Sequence, residues 1–143
     1  MASDYLLELD GVKGESRDRR HPGAIDLSSF SWGASYAGSP SGGGGGSGKV
    51  VLQDFHFTKK TDSTSSQLFL RCATGTHIKK AVLFVRKSGG DQQEYMKVTM
   101  EDVLVSSFQA GATSPSDPSD EVNLSFSQII FDATSPGGGG AND

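Results

Sequence analysis

Through most of the chain apolar side chains recur at every second position, the period that gathers them on one face of a β-strand. Tyr5, Leu7 and Leu9 alternate, and Asp10-Gly11 then turns the chain. Ile25 and Leu27 alternate, whereas Phe30 and Trp32 follow on the other parity. That change of phase predicts a bulge near Ser28-Ser29. Val51, Gln53, Phe55 and Phe57 fall on one face of a single expected strand, with Asp54 and His56 on the other. Ala81 to Lys87 is apolar on both faces, as a central strand requires. Tyr95 to Met100 returns alongside it, and Val103 to Val105 predicts a further short strand towards Phe108. Val122, Leu124 and Phe126 alternate, then Ile129 and Phe131 shift phase, which predicts a second bulge at Ser127-Gln128.

One segment has a different period. Leu68 and Cys72 are four apart, as are Phe69 and Ala73, an apolar stripe at helical spacing. Asp62-Ser63-Thr64 precedes it with side-chain oxygens that accept free backbone N–H groups, and Gly75 can close it in a left-handed conformation. Three stretches carry no periodicity: Ala37 to Gly48, Ala110 to Asp120 and Thr134 to Asp143. The expected fold is mainly β, a compact antiparallel β-barrel with one short α-helix and an extended Gly-rich loop. Residues 1–133 form the domain and 134–143 a flexible Gly-rich tail.

Composition narrows the function. Nineteen of the 143 residues are glycine, nearly twice the ~7% of average proteins, and much of the excess sits in two tracts that read as loops. The formal net charge is −4 with both signs interspersed, so nothing suggests nucleic acid. The pairs Lys59-Lys60 and Lys79-Lys80 are expected as solvated surface charges. A single cysteine, Cys72, excludes an internal disulfide. The longest apolar run, Ala81 to Val85, is far short of the ~18 residues of a membrane span. Asp4 and Glu8 interrupt the apolar start, so no signal peptide is expected.

Chemistry is harder to find. Gly43 to Lys49 satisfies part of a phosphate-binding loop, yet Val50 stands where a magnesium-binding Ser or Thr is required, and Lys49 opens a β-like run. Cys72 and His77 are close in sequence, but Cys72 falls on the apolar helical stripe, where cysteine serves as a small packing residue. His21, His56 and His77 lack paired-ligand spacing, and a surface or turn role is expected for each. Glu101-Asp102 would point to opposite sides of a strand and form no acid–base pair. The sequence therefore offers no catalytic, cofactor-binding or metal-binding residue. What remains is assembly: short strands leave edges to protect or pair.

At this point an ordered series of motifs becomes specific. Gly11-Val12-Lys13-Gly14-Glu15-Ser16, Ile25-Asp26 and Ser31-Trp32-Gly33 come first. Gly48-Lys49-Val50, Gln53-Asp54, Phe57 and Lys59 follow, then Cys72, Gly75 and His77. Val85-Arg86-Lys87-Ser88-Gly89-Gly90 with Tyr95, Val105-Ser106-Ser107, and Glu121-Val122 with Leu124 and Phe126 complete it. Together they resemble the haemolysin-coregulated protein (Hcp) family of type VI secretion systems, over most of the chain.

The resemblance implies a non-enzymatic subunit that forms homohexameric rings. Such rings stack into the inner tube of a contractile apparatus, with a spike at the tip and a sheath around it. Small effector proteins can ride in the lumen. It implies a protein that is cytoplasmic during assembly and extracellular after firing, without inserting in a membrane itself. Within that frame the hairpin Ser88, Gly89, Gly90 and Asp91 is a candidate ring-stacking contact. The loop Ser41, Gly42, Gly43, Gly44, Gly45 and Gly46 is a candidate inter-subunit contact, where glycine permits close backbone approach. Ser31, opposite in phase to Phe30 and Trp32, is a candidate lumen or cargo contact. The chain departs from the family after Ser135-Pro136-Gly137, where many members continue with an aromatic-containing segment. A tube protein of a related extracellular injection system or phage-like tail, a β-sandwich binding module and a Cys72–His77 hydrolase are the competing readings.

Overall fold

The computed structural model describes residues 3–37, 49–87 and 93–135. Its elements are β1 (Ser3–Leu9), β2 (Ile25–Asp26), β3 (Ser29–Ser31), β4 (Ala34–Ala37), β5 (Lys49–Leu52), β6 (Phe55–Lys60), α1 (Ser63–Thr74), β7 (His77–Lys87), β8 (Glu94–Ala112), β9 (Pro118–Ser125) and β10 (Gln128–Ala133). Eight strands form one antiparallel sheet in the order β2-β1-β7-β8-β9-β6-β3, with β10 beside β8. The alternating pattern explains the register. Ile25, Leu7, Leu83 and Val98 stand side by side across four strands, and all are fully buried. Phe55, Leu124 and Val105 do the same across β6, β9 and β8. Burying each such side chain contributes about 1.5–3 kcal/mol.

The expected barrel is not closed by a ladder among the described residues. The two ends of the sheet, β2 and β3, are instead joined through the link between them. Leu27 N–H donates to Tyr5 O at 2.9 Å, and Ser28 N–H donates to Thr58 O at 2.8 Å. The phase change expected as a bulge is therefore a change of partner, from β1 to β6. Likewise β9 ends at Ser125 and β10 begins at Gln128, and Ser127 N–H donates to Glu101 O at 3.0 Å between them.

Both β9 and β10 lie on β8, which is one strand of 19 residues where the sequence pattern predicts two shorter ones. Its first half pairs with β10 and its second with β9. Asp102 sits at the exchange with φ 55°, a left-handed conformation that Asp tolerates better than most residues. Its carboxylate receives His77 Nδ1 at 2.8 Å and the Ser127 hydroxyl at 2.7 Å. The stretch from Ala110 to Asp120 is more ordered than its composition suggests, since Ala112 pairs with Pro118 across a tight turn.

Helix α1 begins as its capping residues dictate. Asp62 accepts from Thr64 N–H at 2.8 Å, and the Ser65 hydroxyl accepts from Asp62 N–H at 3.0 Å, a reciprocal capping box. Gly75 ends it at φ 68°. Only half of the expected stripe faces the sheet. Leu68 is buried and Cys72 partly so, whereas Phe69 and Ala73 are exposed. Beneath the first turn lies Lys59, which the sequence suggests is solvated. It is fully buried, 2.8 Å from Asp120 and 3.0 Å from Asp62, because its charge is neutralised there; Lys60 stays exposed.

Candidate functional site

Two surfaces bear on assembly. The first is the solvent face of β3, β6, β9 and β8. Ser31 pairs with His56, His56 with Asn123, and Asn123 with Ser107, so four polar side chains form one row across four strands. Phe30, on the opposite face of β3, packs edge-on to Tyr5 at 5.1 Å and stacks with Phe55 at 6.0 Å, which turns Ser31 outwards. The row is hydrogen-bonded internally. Asn123 Nδ2 donates to the Ser107 hydroxyl at 2.9 Å, which aims its Oδ1 at His56 Nδ1, 2.7 Å away. A bulge between Val105 and Ser107 leaves Ser106 over, and its hydroxyl donates to Asp54 Oδ2 at 2.7 Å. Neighbouring positions Ser29, Thr58, Glu121 and Gln109 extend the polar character one row further. Ser31 thus belongs to a built polar face, exposed as its phase suggests.

The second surface is a ribbon. The strand expected from Val51 to Phe57 is broken at Gln53-Asp54, and so is its partner at Trp32-Gly33. The register slips by one residue across this joint, from Ser31 opposite His56 to Ala34 opposite Leu52. Beyond it β4 and β5 pair, among the described residues, only with each other. Tyr36 stands opposite Val50 and Ala34 opposite Leu52, so one face of the ribbon is apolar. Tyr36 is 64% exposed, Val50 61% and Leu52 41%. A two-stranded ribbon is marginal in water by itself. Its apolar side chains stay largely open to solvent.

The candidate residues Ser41 to Gly46 and Ser88 to Asp91 lie outside the described residues. Their anchors are described: β4 and β5 flank the first. Lys87 N–H donates to Gln93 O at 2.9 Å at the base of the second. Lys49 opens a strand and not a helix, which removes the helix N-terminus that a phosphate loop needs. Cys72 is turned to the core, and the His77 ring is held by Asp102 on the adjacent strand. Among the described residues no group of three or more His, Cys, Asp or Glu side chains is arranged to hold a metal.

One site escaped the sequence reading. His21, expected at the surface, is only 7% exposed. It lies between Glu8 and Glu94, 2.9 and 2.6 Å from its two ring nitrogens, and stacks on Phe84. No spacing rule links positions 8, 21 and 94; only the sheet order brings them together.

Comparison with known proteins decides the family. The model of the family described as "Type VI secretion system effector, Hcp" matches residues 6–132. The chain is also 42% identical to protein hcp1 of Pseudomonas aeruginosa, over 100% of this chain and 90% of that protein. The chain belongs to the Hcp family, the tube proteins of type VI secretion systems. Solved Hcp structures share its fold. Hcp1 from Salmonella typhimurium superposes with a TM-score of 0.78 at 31% identity, covering 94% of this chain and 88% of that one. A type VI secretion system effector from Yersinia pestis gives 0.79 at 25% identity, covering 95% and 94%. This Hcp chain therefore has the mainly antiparallel β fold that its sequence suggests, with one helix among the described residues.

Proposed function

We propose that this chain closes into hexameric rings, that the rings stack into the inner tube of a type VI secretion apparatus, and that a contracting sheath drives the tube and its spike out of the cell. The observation that carries this reading is the β4–β5 ribbon. It presents Tyr36, Val50 and Leu52 to solvent on a two-stranded element that cannot hold itself together. A second copy of the chain offers a surface for it, and a repeated contact between identical subunits closes into a ring. In this arrangement Ser41 to Gly46 reaches the neighbouring subunit and Ser88 to Asp91 meets the next ring. The row of Ser31, His56, Asn123 and Ser107 faces the lumen, where small effectors travel. Residues 1–133 act as one domain and 134–143 as a tail. The work is mechanical and needs no catalytic group, and the protein is cytoplasmic until firing carries it outside. No helix among the described residues is long and apolar enough to cross a membrane.

Light scattering of the native protein, with negative-stain electron microscopy of the same fraction, tests the proposal. About six times the chain mass with ring-shaped particles is the expected result. Val50→Asp is expected to shift that mass to monomer while leaving the circular dichroism spectrum unchanged. A clean monomer at every concentration, with or without spike or cargo added, would overturn it.

A further inference from the structure

Residues 13–24 form an irregular strap between β1 and β2. Arg17, Arg19, Arg20 and Pro22 on it are exposed, yet His21 is buried. Its imidazole lies on the Phe84 ring of β7, centroids 4.0 Å apart and planes 28° from parallel. Nδ1 is 2.9 Å from Glu8 Oε2 on β1, and Nε2 is 2.6 Å from Glu94 Oε2 on β8. Both ring nitrogens therefore face carboxylate oxygens. A neutral imidazole has one N–H and can donate to one of them; its other lone pair would then meet a carboxylate head-on. Only the imidazolium donates to both.

The other charges packed around the ring agree. Asp18, on the strap, accepts from His21 N–H at 3.0 Å and from Arg86 of β7. Arg86 also pairs with Asp4 of β1 at 3.1 Å. Lys97 of β8 sits 5.8 Å from the Phe84 ring centroid. Arg86 balances Asp4 and Asp18, so the carboxylates that act on the His21 ring are Glu8 and Glu94.

We infer that His21 is a proton-operated clasp: charged, it fastens the 13–24 strap to β1 and β8, and on losing its proton it gives up those two contacts, leaving the strap on its Asp18–Arg86 and Glu15–Ser63 contacts. Burial disfavours the charge, but the hydrogen bonds and charges of Glu94 and Glu8 outweigh it and raise the imidazole above its ordinary value. A raised value means the clasp is fully closed below about pH 6.5 and opens as pH rises through the folded value. Glu94 stands opposite Arg86, where the β7–β8 register shifts, so the clasp grips the base of the hairpin that β7 and β8 form. Resting on the stacking role proposed above for that hairpin, opening of the clasp would loosen ring-to-ring contacts in alkaline conditions.

The test follows the full-length protein from pH 5.5 to 9 at constant ionic strength. The His21 ring proton should titrate by NMR with a midpoint above about 6.5, and Glu94→Gln should lower that midpoint. Melting temperature should fall for wild type relative to His21→Gln as pH rises, the two converging at the alkaline end. Trypsin, calibrated at each pH with a free peptide, should cut at Arg17, Arg19 or Arg20 several-fold faster at the alkaline end in wild type only. A midpoint at or below 6.5, or a stability gap that does not change with pH, overturns the clasp. Sedimentation of assembled tubes separates the two ideas. Tubes of equal length at both extremes, while His21 titrates as expected, sink the link to stacking and leave the clasp in place.

Discussion

Lys59 Nζ lies 2.8 Å from Asp120 Oδ2, and neither side chain has any exposed surface. The two residues are cross-strand partners on β6 and β9. Lys59 also donates to Asp62 at 3.0 Å and to the Ser65 hydroxyl at 2.9 Å, and Ser65 donates to Asp120. One buried pair therefore ties the capping turn of α1 to two strands. Removing Lys59 leaves the Asp120 carboxylate desolvated without a counter-ion, with only the Ser65 and Thr61 hydroxyls donating to it. Lys59→Met is expected to cost about 3–5 kcal/mol in urea unfolding. Replacing both residues by apolar ones (K59M with D120L) should recover most of that loss. A single variant as stable as wild type would show that the pair is hydrated in solution.

Leu68 is the anchor of α1, fully buried, while its neighbours Phe69 and Leu70 are 58% and 59% exposed. Leu68→Ala should cost about 2–5 kcal/mol, since it removes methyl groups from a packed interior and leaves a cavity. Phe69→Ala loses an edge contact with Phe108 at 6.0 Å and should cost under about 1 kcal/mol. Equal losses in thermal unfolding would mean that the helix docks through another face.

Asp18 predicts the behaviour in acid. The Arg86 guanidinium donates to its carboxylate, and the His21 and Arg20 N–H groups donate as well, so the carboxyl is held below the usual carboxylate range despite burial. A depressed value contributes stability that is present above about pH 4 and is lost as pH falls through the folded value. Asp18→Asn should therefore be less stable than wild type at neutral pH, with the gap closing towards about pH 2. A gap that stays constant into acid would show that Asp18 acts through shape and not through charge.

Where the sequence carried a strong local signal, the structure agrees with it. Alternation in Val122 and Leu124, the doubly apolar run Ala81 to Lys87, and the Asp62 cap with its Gly75 stop all depend on nearest neighbours along the chain. Ser31 faces outwards for the same reason, because the two-residue period alone decides which side of β3 it occupies. The ordered motifs from Gly11 to Phe126 were enough to indicate the family. What local pattern could not decide was pairing. The phase shifts after Leu27 and Phe126 mark changes of partner strand, and a change of partner and a bulge leave the same trace in sequence. Lys59 and His21 are polar residues that look solvated until Asp120, Glu8 and Glu94 arrive beside them from distant parts of the chain. Burial of a charge depends on a partner that only the sheet order supplies, and so the polar interior of this protein is a property of its tertiary structure.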